Sequence, residues 1–103
     1  LYDAFHNIEP IKKTSRSIII ADIVGPICET GDYIALDRKI NKVENDELLA
    51  IRTTGAYSSV MRSNYNTRPD AKEIIIYDKK DYLIREPETI RDLISKEKII
   101  NFD

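Results

Sequence analysis

The sequence is poor in the residues that mark several classes of protein. Among its 103 residues there are one cysteine, no tryptophan, three glycines and four prolines. A single thiol cannot form a disulfide within the chain, so we expect a reducing compartment, the cytoplasm. With few glycines and prolines and 42% hydrophobic residues, the composition is that of a folded domain rather than a disordered segment.

Long apolar runs and an excess of charge of one sign are also missing. The strongest apolar stretch covers residues 18–21 and ends at Asp22, whereas a membrane-spanning helix needs about 20 apolar residues. The formal net charge is −2, and the basic residues are scattered. We therefore expect neither membrane nor nucleic acid as a partner. Because the first residue is Leu1 rather than Met, we expect the chain to be a piece of a longer protein.

What is present is a series of short strand patterns separated by turns. β-branched and alternating residues predict three strands in the first half, and a hairpin and a short helix follow. The predicted strands are 17–24, 33–40, 47–54, 72–77 and 81–85, and the predicted helix is 87–95. Strands joined by turns rather than helices favour antiparallel pairing. The sequence thus predicts one domain over 1–103, dominated by β-structure, an antiparallel sandwich or barrel with one short C-terminal helix.

Several motifs resemble one enzyme family. Residues 24–32, VGPICETGD, are similar to the V-G-P-x-C-E-S-G-D segment of diaminopimelate decarboxylases. Residues 49–57, LAIRTTGAY, resemble that family's strand leading to G-A-Y, and 63–69, SNYNTRP, resemble its S-N-Y-N-S-R-P loop. Residues 2–6, YDAFH, and 85–89, REPET, resemble the end of its R-P-x-L-Y motif and its R-x-x-E-T run. These matches occur in the family's order along nearly the whole chain.

The resemblance implies a fold and an activity. It implies a C-terminal β-domain like that of alanine racemase, within a pyridoxal 5'-phosphate-dependent decarboxylase of fold type III. The family's N-terminal (β/α)₈ barrel, which supplies the Schiff-base lysine, has no counterpart in this chain, so we expect the chain alone to be inactive. The implied reaction converts meso-2,6-diaminopimelate to L-lysine and CO₂ in lysine biosynthesis, in a homodimer whose active sites are shared between subunits.

The resemblance also implies a role for Cys28. In related decarboxylases this cysteine lies across the dimer interface beside the other subunit's cofactor, where it can donate a proton after decarboxylation. A free thiol has a pKa near 8.5, and nearby cations lower it. The alternative is a buried, inert cysteine, which is a common fate of a lone thiol.

Three other residues receive roles from the same resemblance. Glu29 pairs with the distal ammonium of the substrate, and a carboxylate gives a charge-assisted hydrogen bond there. Tyr57 contacts the substrate and donates to the cofactor phosphate, and Tyr2 binds the substrate carboxylate. The alternatives are a solvated carboxylate for Glu29 and a core side chain for Tyr57. We expect no metal site, because the single histidine has no second ligand at a metal-binding spacing.

The sequence departs from the family at two positions and leaves other functions open. Thr30 replaces the usual serine and keeps the hydroxyl, and Asp46-Glu47 stands where Gly-Asp is common; Asp tolerates positive φ. A decarboxylase of ornithine or arginine is one alternative function, although such enzymes usually carry C-D-G-x-D rather than C-E-T-G-D. A non-catalytic dimerising module is another.

Overall fold

The computed structural model describes residues 3–13 and 15–102. Its strands pair in three antiparallel two-stranded sheets, in the orders β1-β4, β2-β3 and β5-β6. The chain divides into two compact units, Leu1–Met61 and Arg62–Asp103. The elements are β1 (Ile8–Pro10), β2 (Ile18–Val24), β3 (Tyr33–Asn41), β4 (Leu49–Ile51), α1 (Gly55–Met61), a 3₁₀ turn (Tyr65–Thr67), β5 (Glu73–Tyr77), β6 (Lys80–Arg85) and α2 (Ile90–Leu93).

The core of the first unit lies where β1 meets β3. Its buried side chains are Ile8, Ala35 and Ile40. Every second residue of β2 faces this core, and the partly buried apolar residues packed against it are Ile19, Ala21, Ile23, Leu49 and Ile51. The β-branched Ile19 and Ile23, part of the run that predicted β2, therefore also supply apolar surface that the unit buries.

A β-bulge in β3 changes which residues face the core. Ala21 pairs with Arg38, but Ile23 pairs with Ala35, so Leu36 and Asp37 together lie opposite one residue of β2. Asp37 has a φ of 48°, and its backbone N–H donates to the Asp22 carboxylate at 2.8 Å. The extra residue reverses the alternation, because Ala35 is buried before the bulge and Ile40 after it. The predicted strand 33–40 is present, but its alternation of 33, 35 and 37 against 34, 36 and 38 is broken at the bulge.

The first strand is an element that no sequence pattern predicted. Ile8 pairs with Ile51, and beyond this pair the Arg52 N–H donates to the Asn7 carbonyl at 2.8 Å. Arg38 fastens the segment before β1 to β3: its Nη1 donates to the His6 carbonyl at 2.6 Å, and its guanidinium lies 4.0 Å from the centre of the Phe5 ring. Pairing partners distant in sequence, not a local period, define β1.

The second unit contains the predicted hairpin. Tyr77 pairs with Lys80, and the two residues between them, Asp78 and Lys79, have φ values of 48° and 60°. Two consecutive positive φ values define a type I′ turn, whose twist suits antiparallel strands. The hairpin prediction is confirmed, with β6 beginning one residue earlier than expected.

The predicted C-terminal helix is present but short. Thr89 caps α2 in a capping box: the Asp92 N–H donates to the Thr89 hydroxyl at 3.2 Å, and the Thr89 N–H donates to the Asp92 carboxylate at 2.7 Å. The hydroxyl of Thr89, followed by its N–H, lowers the pKa of Asp92. The helix therefore begins after Thr89 rather than at Pro87.

Ion pairs and carboxylate contacts order the loop between α1 and β5. Arg62 Nε lies 2.9 Å from Asp70, and its Nη1 lies 3.3 Å from Glu73. Glu88 accepts from the Asn64 side-chain amide at 2.6 Å and from the Asp70 N–H at 3.0 Å. The S-N-Y-N-T-R-P segment is thereby tied, through Asn64, to Glu88 after β6.

The antiparallel, β-dominated fold class is confirmed. Asp46, where glycine was expected by resemblance, has a φ of 66°. In the part of the chain that the structure describes, no helix has the length and apolarity to cross a membrane.

A pair of opposite charges links the segment before β2 to the turn before β4, and it makes stability depend on pH. Arg16 Nη2 donates to Glu47 Oε1 at 2.9 Å, and its Nη1 contacts the other oxygen. The hydrogen bond from Arg16, followed by that from the Glu44 N–H, lowers the pKa of Glu47 to about 2.

We expect the contribution of the Glu47 carboxylate to the free energy of unfolding to be complete above its unfolded pKa of about 4.3. This contribution should disappear as the pH falls towards about 2. The test is the free energy of unfolding of the full-length protein, measured by denaturant titration between pH 5 and pH 2. Glu47→Gln should make this free energy fall less steeply as the pH is lowered. Arg16→Gln should reduce the steepness less, because the Glu44 N–H remains. If the unfolding free energy of Glu47→Gln depended on pH as steeply as that of the parent, the predicted link between Glu47 ionisation and stability would be refuted.

Candidate functional site

The motif CETGD forms a closed loop between β2 and β3. The Gly25 N–H donates to the Asp32 carbonyl at 2.8 Å, and the Asp32 N–H donates to the Glu29 carbonyl at 3.1 Å. The Tyr33 N–H donates to the Gly31 carbonyl at 2.9 Å, where β3 begins. Backbone hydrogen bonds thus close the loop where β2 ends and β3 begins.

Asp32 occupies the interior of this loop. Its Oδ2 accepts from the Ile27 N–H at 2.6 Å, and the side chain is half-buried. The carboxylate lies directly against Gly25, where a Cβ atom would overlap both oxygens. The sequence motif contained Asp32, but no sequence pattern assigned it a contact.

Cys28 and Glu29 are both exposed on the outside of the loop. Glu29 Oε2 accepts from the Gly31 N–H at 2.6 Å, and the Thr30 hydroxyl donates to Oε1 at 3.3 Å. The hydroxyl that Thr30 shares with the family's serine therefore contacts the carboxylate. These bonds orient Glu29 while its exposure leaves it accessible to a cation, and Cys28 is not buried by the residues of this chain.

Tyr57 lies on α1, with 61% of its surface exposed. It borders a pocket of about 430 Å³ with Phe5, His6, three hydroxyl residues and two alanines; the lining is Ala4, Phe5, His6, Thr53, Thr54, Ala56, Tyr57 and Ser58. Tyr57 is therefore not a core side chain of the described unit, and its role stays a prediction.

Thr53, on the rim of that pocket, has a φ of 59°. A β-branched residue in the left-handed region is strained by about 1–3 kcal/mol, and such strain is concentrated at functional sites. It turns the chain sharply between β4 and α1, so that Thr54 and Tyr57 face the pocket. No sequence signal identified this conformation, because threonine does not favour it.

A second pocket, of about 560 Å³, lies between the loop and α1. Gly31 and Tyr33 line it from the end of the loop, and Thr54 and Ser58 line it from the start of α1. Thr54 and Ser58 also line the Tyr57 pocket. The structure thus brings the end of the CETGD loop and the first turn of α1 to neighbouring pockets. The described lining of this second pocket includes none of the predicted site residues Cys28, Glu29 and Tyr57. Tyr2, the fourth predicted site residue, lies outside the residues that the structure describes.

Comparison with known proteins assigns the family. The family described as "Pyridoxal-dependent decarboxylase, C-terminal sheet domain" matches residues 1–55, which include β1 to β4 and the CETGD loop. The chain belongs to the pyridoxal-dependent decarboxylases.

Relatives in this family are similar over most of the chain. Diaminopimelate decarboxylase of Aquifex aeolicus is 48% identical over 88 residues, which are 85% of this chain and 21% of that protein. The enzyme of Zymomonas mobilis is 41% identical over 99% of this chain and 24% of its own length. The crystal structure of diaminopimelate decarboxylase from M. jannaschii in complex with L-lysine superimposes with a TM-score of 0.88 at 37% identity, covering 96% of this chain and 23% of that one. The chain therefore spans about a quarter of the length of these pyridoxal-dependent decarboxylases.

Proposed function

We propose that this chain is the C-terminal sheet domain, over 1–103, of a two-domain diaminopimelate decarboxylase. The whole enzyme would convert meso-2,6-diaminopimelate to L-lysine and CO₂. The observation that carries this proposal is the exposed Cys28-Glu29 pair on a closed loop, in a chain 48% identical to an enzyme of that name. The family membership supports pyridoxal 5'-phosphate as the cofactor.

The residues around Tyr57 fit part of a site for this cofactor. Hydroxyl groups of Thr53, Thr54, Tyr57 and Ser58 line the pocket, and hydroxyls can donate to phosphate oxygens. No lysine or arginine lines it among the described residues, so the positive charge that balances the phosphate must come from residues outside this pocket. When bound, the cofactor supplies a sink for the electron pair that CO₂ leaves behind. We place its covalent lysine in the barrel outside this chain.

Cys28 and Glu29 divide the remaining work in this proposal. The Cys28 thiol holds a proton for the α-carbon, and the exposure of Cys28 allows approach to a site formed largely by another subunit. Glu29 binds the distal ammonium with a carboxylate already oriented by Gly31. Tyr57 donates to phosphate and contacts substrate, and Tyr2 holds the substrate carboxylate.

Exposed apolar surface supports further protein partners. The outer face of the β2–β3 sheet exposes Ile18, Ile20, Val24 and Leu36, each by more than half. Several exposed apolar side chains on one face of a sheet are typical of a surface that a partner covers. We propose that an N-terminal barrel domain and a second subunit cover such surfaces, in a cytoplasmic homodimer with shared active sites.

CO₂ release by the full-length protein tests the proposed activity. With pyridoxal 5'-phosphate present, we expect release from meso-diaminopimelate at least tenfold faster, in kcat/KM, than from ornithine or arginine. The distal ammonium of ornithine lies one carbon closer to the α-carbon and arginine ends in a guanidinium, so neither places its charge where Glu29 is oriented to bind it, and a well-placed charged contact contributes about 1.5–3 kcal/mol. The isolated 103-residue chain should release none. Preference for ornithine or arginine would reassign the substrate, no release from any of the three would favour a non-catalytic module, and activity of the isolated chain would refute the two-domain site.

A further inference from the structure

We propose that Asp32 is a positioning residue for this active site: its carboxylate, packed between the Ile27 amide and Gly25, fixes the loop that presents Cys28 and Glu29. The inference rests on the proposed function for its catalytic consequence. Its structural basis lies entirely in the described loop between β2 and β3.

Asp32 connects with the loop at three points. Its carboxylate accepts from the Ile27 N–H at 2.6 Å, its carbonyl accepts from the Gly25 N–H at 2.8 Å, and its N–H donates to the Glu29 carbonyl at 3.1 Å. The side-chain bond is the one that a substitution can remove. Since Ile27 directly precedes Cys28, loss of this bond frees the backbone next to the thiol.

Gly25 provides the space that the carboxylate occupies. Its φ is not positive, and Pro26 follows it, so alanine could adopt the same backbone conformation. The nearest obstacle to alanine is the Asp32 carboxylate, since the three atoms closest to an added Cβ are Oδ1, Oδ2 and Cγ of Asp32. A methyl group at Gly25 would therefore displace the carboxylate from the Ile27 amide.

Cys28 and Glu29 depend on the same loop for their positions. The Asp32 N–H donates to the Glu29 carbonyl, and the Gly31 N–H donates to the Glu29 carboxylate. The Glu29 carboxylate therefore keeps a single orientation as long as the loop stays closed. A misplacement of about 1 Å in a reacting group can lower a rate on the order of 100-fold. Asp32 thus acts through its neighbours and need not contact substrate.

The test uses four variants of the full-length protein: Asp32→Ala, Asp32→Asn, Gly25→Ala and the Gly25→Ala/Asp32→Ala double variant. The readouts are kcat/KM for meso-diaminopimelate, cofactor absorbance, thermal melting, and amide hydrogen exchange of a peptide that contains Ile27. Asp32→Ala and Gly25→Ala should each lower kcat/KM about 10- to 100-fold and speed exchange at Ile27, with cofactor occupancy retained. The double variant should be no worse than either single one, because both changes remove the same bond.

Asp32→Asn keeps an oxygen acceptor for the Ile27 amide and should restore exchange protection and most of the activity. A double variant whose loss is the product of the two single losses would overturn the inference, as would unchanged exchange at Ile27 in Asp32→Ala. An Asp32→Asn protein as impaired as Asp32→Ala would also overturn it, because the negative charge rather than the acceptor would then be required. If the parent releases no CO₂ from diaminopimelate, the proposed function fails, while the exchange measurements still decide whether Asp32 holds the loop.

Discussion

Replacing Cys28 with alanine in the full-length enzyme should lower kcat about 10²- to 10⁴-fold, the range that a positioned general acid contributes. The Cys28 side chain is exposed on the loop, so its removal creates no cavity in the β1–β3 core. Cofactor absorbance and KM should therefore change little. Steady-state kinetics with meso-diaminopimelate, together with a cofactor titration, measure the two effects separately.

Thr30→Ser is the matched control for this change. It lies on the same loop and keeps the hydroxyl that contacts Glu29, so we expect activity within a few-fold of the parent. Mixing Cys28→Ala subunits with subunits that lack the barrel lysine should recover partial activity, because a hybrid dimer can assemble one complete site. An unchanged kcat in Cys28→Ala would remove the thiol from the mechanism, and no recovery on mixing would contradict the shared site.

Replacing Glu29 with glutamine should raise KM for meso-diaminopimelate about 10- to 150-fold, since a hydrogen bond to a charged group contributes about 1.5–3 kcal/mol. Glutamine keeps an oxygen that can accept from the Gly31 N–H, as Glu29 Oε2 does at 2.6 Å. The substitution thus removes the charge while preserving the loop contact. The preference for diaminopimelate over substrates without a distal ammonium should fall by the same factor.

Glu97→Gln provides the control for a change in net charge. Glu97 is an exposed carboxylate in the second compact unit, outside the loop and the Tyr57 pocket, so its variant should keep the parental KM. If Glu29→Gln bound diaminopimelate as tightly as the parent, Glu29 would be a solvated loop carboxylate and the substrate assignment would lose its main residue-level support.

Local residue patterns determined a large part of this fold. A run of β-branched residues predicted β2, because such side chains favour extended backbone whatever lies far away in sequence. Alternation predicted β3, and two short strand patterns around Asp78-Lys79-Lys80 predicted the β5–β6 hairpin. The hairpin also has a two-residue connection between Tyr77 and Lys80, which restricts the turn type. The CETGD motif likewise led to the family, since a motif depends on residue identities and not on packing.

Tertiary structure decided the features that depend on distant partners. β1 exists because it pairs with β4, whose residues lie far along the chain (Ile8 pairs with Ile51), and the Asp37 bulge exists because Asp22 on the neighbouring strand accepts its N–H. The strained φ of Thr53 similarly depends on surroundings that no local propensity encodes.

The CETGD loop combines both levels. Its sequence alone identified Cys28 and Glu29 as candidates and, through Glu29, indicated the substrate class. Only the folded chain placed the Asp32 carboxylate against Gly25 and the Ile27 amide, because that contact requires the loop to close between two paired strands. The sequence determined which chemical groups the loop carries, and the tertiary structure determined what holds them in place.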